Sequence, residues 1–117
     1  MKIKIVVLLA LTTMLLAACG SPSPKDVTTQ LIESLSNGDC EKAQSLTVDD
    51  AFFIVQMIID GGCMKDEITL KEIVCNESDN TANCACVGDK NGLTIHYTYK
   101  LKKTENGWKV SSWPLDF

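Results

Sequence analysis

The sequence predicts an α+β domain, with N-terminal helices packed on an antiparallel sheet of about four strands. Three observations carry this. Apolar residues recur with a helical period of about 3.6 through residues 24–60. After Glu67 the period becomes two, the mark of strands with one buried face. Asn91-Gly92 and Asn106-Gly107 then stand between the alternating runs as hairpin-turn dipeptides. Helices first and an antiparallel meander afterwards is an α+β order.

The first helix begins at Ser23-Pro24-Lys25-Asp26. Ser23 serves as the cap, Pro24 suits the first turn, and Asp26 falls three residues after the cap. Val27, Leu31 and Leu35 form one face, widened by Ile32, and Asn37-Gly38 supplies the stop. Asp39 caps a second, short helix with Cys40, Ala43 and Leu46 inward. A third helix is expected over residues 51–60, "AFFIVQMIID", ended by Gly61-Gly62. It is apolar nearly all round, which predicts a buried helix.

Four strands follow. "EITLKEIVC" places Ile68, Leu70 and Val74 on alternate positions, interrupted by Glu72, and "CACV" is short. In "LTIHYTYKLKK", Leu93, Ile95, Tyr97, Tyr99 and Leu101 share one face, with Thr94, His96, Thr98, Lys100 and Lys102 on the other. "WKVSSW" closes the sheet.

The amino terminus has a different character. Lys2 and Lys4 precede an almost wholly apolar run over residues 5–18, the pattern of a secretory signal. Its 14 residues fall short of the roughly 20 that cross a bilayer as a helix. Leu16-Ala17-Ala18-Cys19 resembles a bacterial lipobox at all four positions. That resemblance implies cleavage before Cys19, a diacylglycerol on its thiol, and acylation of the new amino terminus. The expected organisation is a signal peptide at 1–18, a lipidated tether at 19–24 and one domain at 25–117. Burying acyl chains contributes about 0.8 kcal/mol per methylene, and stable anchoring takes more than one chain. The partner so implied is a membrane, reached through the lipid on Cys19. The location implied is the bacterial cell envelope, facing the periplasm. Gly20 after the cysteine, by resemblance to enterobacterial sorting, points to the outer rather than the inner membrane.

Composition bounds the partners. Without residues 1–18 the chain has 99 residues, 9 Lys, no Arg and 15 Asp plus Glu, a formal charge of −6. Such a surface argues against nucleic acid, which calls for a basic stripe. An envelope protein or a small ligand is the expected partner, with no cofactor beyond the covalent lipid.

Beyond Cys19 there are five cysteines, Cys40, Cys63, Cys75, Cys84 and Cys86. In an oxidising compartment a small domain uses cysteines as cross-links. Five leaves one over, with 15 arrangements among which sequence does not select. The reading adopted joins Cys40 to Cys63 and Cys75 to Cys86, the latter narrowly ahead of Cys75 to Cys84, so that Cys84 is the free or alternative thiol. A thiol or metal site through Cys75, Cys84 and Cys86 is the competing reading, although zinc sites take four ligands in closed geometry.

The order of elements resembles the nuclear-transport-factor-2-like fold, also called cystatin-like or ketosteroid-isomerase-like. Asn37-Gly38-Asp39 and Lys42-Ala43 match its break between the first two helices, and Gly107, Trp108 and Val110 match its final hairpin. Small bacterial lipoproteins of unassigned function within it are the nearest likeness. The resemblance implies a curved sheet wrapping a helix into a cone, in which enzymes of the superfamily place Asp, His or Tyr. It does not imply activity.

Acid–base chemistry needs a titratable group in a cleft. His96 is the one histidine and falls on the polar strand face, while Tyr97 and Tyr99 point to the core. Glu72 is the one acid suited to an isomerase-like pairing with a tyrosine. No catalytic residue or metal ligand is assigned. Lys100, Lys102 and Lys103 read as a solvated strand guarded against edge pairing, and Asn76-Glu77-Ser78 is discounted as a glycosylation acceptor in a bacterial chain. The expectation is a non-catalytic binding or interaction module, with a small-ligand or isomerase-like cone as the alternative.

Overall fold

The computed structural model describes residues 21–65 and 67–114. The expected signal peptide, Cys19 and Gly20 lie outside the described residues.

Helix α1 (Pro24–Ser36) starts as its sequence dictates. The Ser23 hydroxyl accepts from the Asp26 amide at 3.2 Å, and the Asp26 carboxylate accepts from the Ser23 amide at 3.2 Å. Val27, Leu31, Ile32 and Leu35 are buried, as is Thr28. Asn37 caps the end and Gly38 follows at φ 75°, a left-handed conformation that favours glycine. The Asp39 carboxylate accepts from the Lys42 amide at 3.2 Å and opens α2 (Cys40–Ser45). Six residues are too few for a stable isolated helix. The disulfide between Cys40 and Cys63 ties α2 to the segment that follows α3 (Asp49–Asp60).

The sheet is a meander in the order β1 (Thr69–Ser78), β2 (Thr81–Lys90), β3 (Leu93–Thr104), β4 (Gly107–Ser112), antiparallel throughout. Two-residue loops join the first three strands, with Asp79 at φ 54° in one and Asn91-Gly92 at 52° and 80° in the other. Three helices cover one face, α1 lying over β1, β2 and β4, and α3 against β4. The link between α2 and α3 joins the sheet: Val110 donates its amide to the Leu46 carbonyl, and Val48 donates to the Val110 carbonyl, each at 2.9 Å. This places α3 across the end of the meander.

The covered face alternates small and large residues. Ala82, Cys84 and Cys86 on β2 oppose Leu101, Tyr99 and Tyr97 on β3. The small side chains make room for the rings, which pack edge-to-face with centroids 5.7 Å apart. This pattern explains why β2 runs over ten residues and not the four of "CACV". Its inward positions are too small to stand out in hydrophobicity.

The structure corrects three expectations. A bulge between Leu70 and Glu72 moves the face of β1, so Ile73 and Cys75 turn toward the helices while Glu72 and Val74 turn out. Helix α3 fully buries Ala51 and Val55, packs Ile58 and Ile59 partly against the core, and leaves Phe52, Phe53 and Met57 exposed. Leu93 is exposed too, because β3 begins beyond the cover of the helices.

Candidate functional site

Between helices and sheet, the interior is filled. Leu31, Ala43, Val55, Cys84, Leu101 and Val110 are all but inaccessible, and Tyr97 and Tyr99 close the space between them. Open space begins at the rim. Leu35, Ile58, Gly61, Met64 and Trp113 line a mouth of about 420 Å³ with Lys65 and Lys90 beside it. A second depression of about 260 Å³ lies along α3, between Phe53, Ile54 and Trp113. Trp113 borders both and is held by an edge-to-face contact with Tyr99 at 5.5 Å. Phe53 is 68% exposed and Met64 81%, and Met57, one turn beyond Phe53 on α3, is 65% exposed. Met64 stands at the mouth and Phe53 at the depression along α3, and Phe52 and Phe53 pack against each other edge-to-face.

The other face of the sheet carries the titratable residues. Glu72 on β1, Val87 on β2 and His96 on β3 stand in one row across three strands. His96 and Glu72 are exposed. They therefore lie across the sheet from Tyr97 and Tyr99, and the acid–tyrosine pairing considered for Glu72 does not form. Asp89, on the same outer face, is engaged by Lys71 at 2.7 Å. That lysine's hydrogen bond holds the Asp89 carboxyl below the usual range.

Cysteine pairing departs from the expectation in one partner. Cys40–Cys63 forms as expected, with Cα atoms 6.2 Å apart. Cys75 joins Cys84 and not Cys86, which is the free, buried thiol. Register decides this: Cys75 stands directly across from Cys84, whereas Cys86 faces Ile73. Desolvation pushes the Cys86 thiol up to about 12. Two of the three sulfurs considered for a metal or thiol site are thus joined to each other. Cys19, the lipid-attachment residue, lies outside the described residues.

Sequence alone does not place these exposed apolar side chains beside Trp113. Phe52, Phe53 and Met57 belong to a helix that is apolar nearly all round, a pattern that gives little direction in which to orient it.

Solved structures share the architecture. An NTF2-like protein with a cystatin-like fold from Novosphingobium aromaticivorans superposes with a TM-score of 0.57 at 18% identity, covering 92% of this chain and 88% of that one. The fold is NTF2-like. A provisionally named NTF2-like transpeptidase from Campylobacter jejuni gives 0.54 at 16% identity, over 78% of this chain and 99% of that one. A provisionally named dehydratase of the NTF2-like family from Streptomyces avermitilis gives 0.52 at 17% identity, over 73% and 87%. At such identities the NTF2-like likeness carries the fold alone. No family model matches the sequence, and no curated protein matches it significantly.

Proposed function

We propose that this chain is an envelope lipoprotein, anchored through Cys19, whose NTF2-like domain binds an apolar or amphipathic partner at the rim of its cone and performs no catalysis. The observation that carries this is the pair of exposed side chains Met64 and Phe53 at the two depressions that Trp113 borders, with Met57 exposed one turn beyond Phe53. Exposed apolar side chains beside a concavity are the usual make-up of an interaction surface on a small domain. The non-catalytic part is supported by the sheet separating Glu72 and His96 from the tyrosines.

The test uses the full chain with its anchor in phosphatidylcholine nanodiscs, carrying Trp108→Phe so that Trp113 alone reports. Titration with an uncharged alkyl glucoside below its micelle concentration shifts the Trp113 emission to the blue and saturates. Met64→Ser with Ile58→Ser removes the response. An unresponsive Trp113 counts against the rim as a site. Intact mass of protein from bacterial membranes tests the anchor: residues 19–117 plus acyl chains is the expected species, and an unacylated mass overturns the lipoprotein assignment.

A further inference from the structure

We propose a second binding site on the uncovered face of the sheet, for a small organic anion with a flat body and a hydrogen-bonding group opposite its charged end. A depression of about 720 Å³ lies there, with Ala85, Val87, His96, Thr98, Lys100 and Ser112 in its lining. Alternation puts the β2 and β3 side chains on one surface, and a register irregularity at Lys100/Leu101 brings Ser112 opposite Lys100, where it also borders the depression along α3. Ala85 is paired with Thr98, Val87 with His96, and Lys100 with Ser112. Ala85 and Val87 make a low apolar floor. Pro114, just beyond the end of β4, forms part of the border.

The polar groups on this floor are uncommitted. Lys102 is paired with Asp49, and Lys109 donates to the Ser45 carbonyl at 2.7 Å. The Lys100 and His96 side chains have no ion-pair or hydrogen-bond partner among the described residues, nor do the Thr98 and Ser112 hydroxyls; the Lys100 carbonyl accepts from the Ser111 hydroxyl at 3.2 Å. An unpaired ammonium beside two free hydroxyls, on a chain whose expected mature charge is −6, is a local reversal of sign that suits a carboxylate or phosphate. Of the carboxylates on this face, Asp89 is engaged by Lys71, and Glu72 stands two strands from His96, roughly 10 Å away.

Spacing sets the ligand's shape. Lys100 and His96 are four residues apart on one strand, roughly 13 Å between Cα atoms, with Thr98 midway. One anionic group reaches Lys100, Thr98 and Ser112 but not His96. A ligand filling the depression therefore places its charge at the Lys100 end, its flat body over Ala85 and Val87, and a hydroxyl or carbonyl at the imidazole. This site shares Trp113 with both rim depressions and Ser112 with the one along α3, but Leu35, Ile58 and Met64 do not line it, and it does not depend on that reading.

The test is equilibrium dialysis of the full chain in phosphatidylcholine nanodiscs against 4-hydroxybenzoate, phenyl phosphate and inorganic phosphate. Saturable binding of the two aromatic anions, one per chain, is expected. Lys100→Gln weakens it about tenfold or more through loss of a charge-assisted hydrogen bond. His96→Gln weakens 4-hydroxybenzoate more than phenyl phosphate, which has no group for the imidazole. Both residues are exposed, and thermal melts verify that the variants fold. Met64→Ser with Ile58→Ser leaves this binding unchanged while abolishing the rim response. The proposal is overturned by no saturation up to about 10 mM, by an unchanged Lys100→Gln variant, by loss of binding in the rim variant, or by inorganic phosphate binding as well as phenyl phosphate.

Discussion

Cys75 on β1 and Cys84 on β2 are direct cross-strand partners, 4.0 Å apart at Cα and joined as a disulfide, which leaves Cys86 as a buried thiol two residues further along the same face. Its Sγ lies 3.7 Å from the Cys84 carbonyl oxygen. A thiolate is the reactive form, and burial holds Cys86 protonated. Native protein is therefore expected to resist iodoacetamide at pH 8 and to take up one equivalent at Cys86 once unfolded in urea. Fast native labelling, read by mass spectrometry of the peptide, would contradict the assigned pairing.

The same burial has a pH signature. The folded-state value of Cys86 is raised above the ordinary 9.0 to about 12. Its contribution to stability is fully present below the unfolded value and is lost as pH rises through that window. Cys86→Ala should flatten the fall in urea midpoint between pH 9 and 11 relative to wild type. Equal slopes in both proteins would show that the thiol is not desolvated in the fold.

The two disulfides differ in what they restrain. Cys40–Cys63 spans 23 residues and holds a six-residue helix, whereas Cys75–Cys84 spans nine within a hairpin already paired by backbone hydrogen bonds. Loop-closure entropy gives about 3 kcal/mol for each, with the longer loop ahead. The paired substitution Cys40→Ala, Cys63→Ala is expected to lower unfolding free energy more than Cys75→Ala, Cys84→Ala. Chemical denaturation of the two variants settles the order.

Gly88 on β2 sits where β1 bulges toward it. An added Cβ would lie 2.9 Å from Ile68 Cγ2, 3.1 Å from the Thr69 carbonyl oxygen and 3.3 Å from the Tyr97 hydroxyl. One contact is backbone and cannot swing aside. Gly88→Ala should cost about 1–3 kcal/mol by overpacking. An unchanged melting temperature would mean that the bulge is loose.

Local chemistry made much of the fold legible. The Ser23/Asp26 box, the Val27-Leu31-Leu35 stripe and the Asn91-Gly92 turn each carry their own instruction, and the structure follows all three. What failed depended on partners distant in sequence. The bulge at Leu70/Glu72 reverses the outward face of β1, and nothing within "EITLKEIVC" marks it. Cys84 and Cys86 point the same way, so register alone separates them. Helix α3 is apolar nearly all round, and its small residues Ala51 and Val55 mark the face that meets the sheet. The rim of the candidate site was hidden for that reason. Alternation alone puts His96 and Lys100 on the outward face, but the depression they share with Ser112 needs β4 beside β3.

Lys71 and Asp89 offer a surface test of the bulge. The lysine hydrogen bond depresses the Asp89 value, aided by its charge and by the Thr94 hydroxyl at 3.3 Å. A depressed carboxylate stabilises above its unfolded value, and the contribution is lost as pH falls through the lower folded one. Lys71→Met should raise the Asp89 midpoint in a carboxyl NMR titration, with little effect on melting because the pair is solvated. A midpoint that stays put would place Lys71 elsewhere.

Thr28 gives the sharpest test of the packing beneath α1. It is fully buried, and its hydroxyl has no hydrogen-bond partner among the described residues. Ser34, on the same helix, donates its hydroxyl to the Gln30 carbonyl at 2.6 Å and so carries no such penalty. A buried unsatisfied hydroxyl costs about 1–3 kcal/mol. Valine keeps the shape of threonine and removes the polar atom, so Thr28→Val should stabilise the domain by about 1 kcal/mol. Thr28→Ser keeps the hydroxyl and loses a methyl, and should destabilise it by about 1 kcal/mol through the lost burial. The opposite signs separate this account from a general tolerance at the site. Thr28→Val less stable than wild type in urea would show that the hydroxyl has a partner after all, and would move the core boundary of α1.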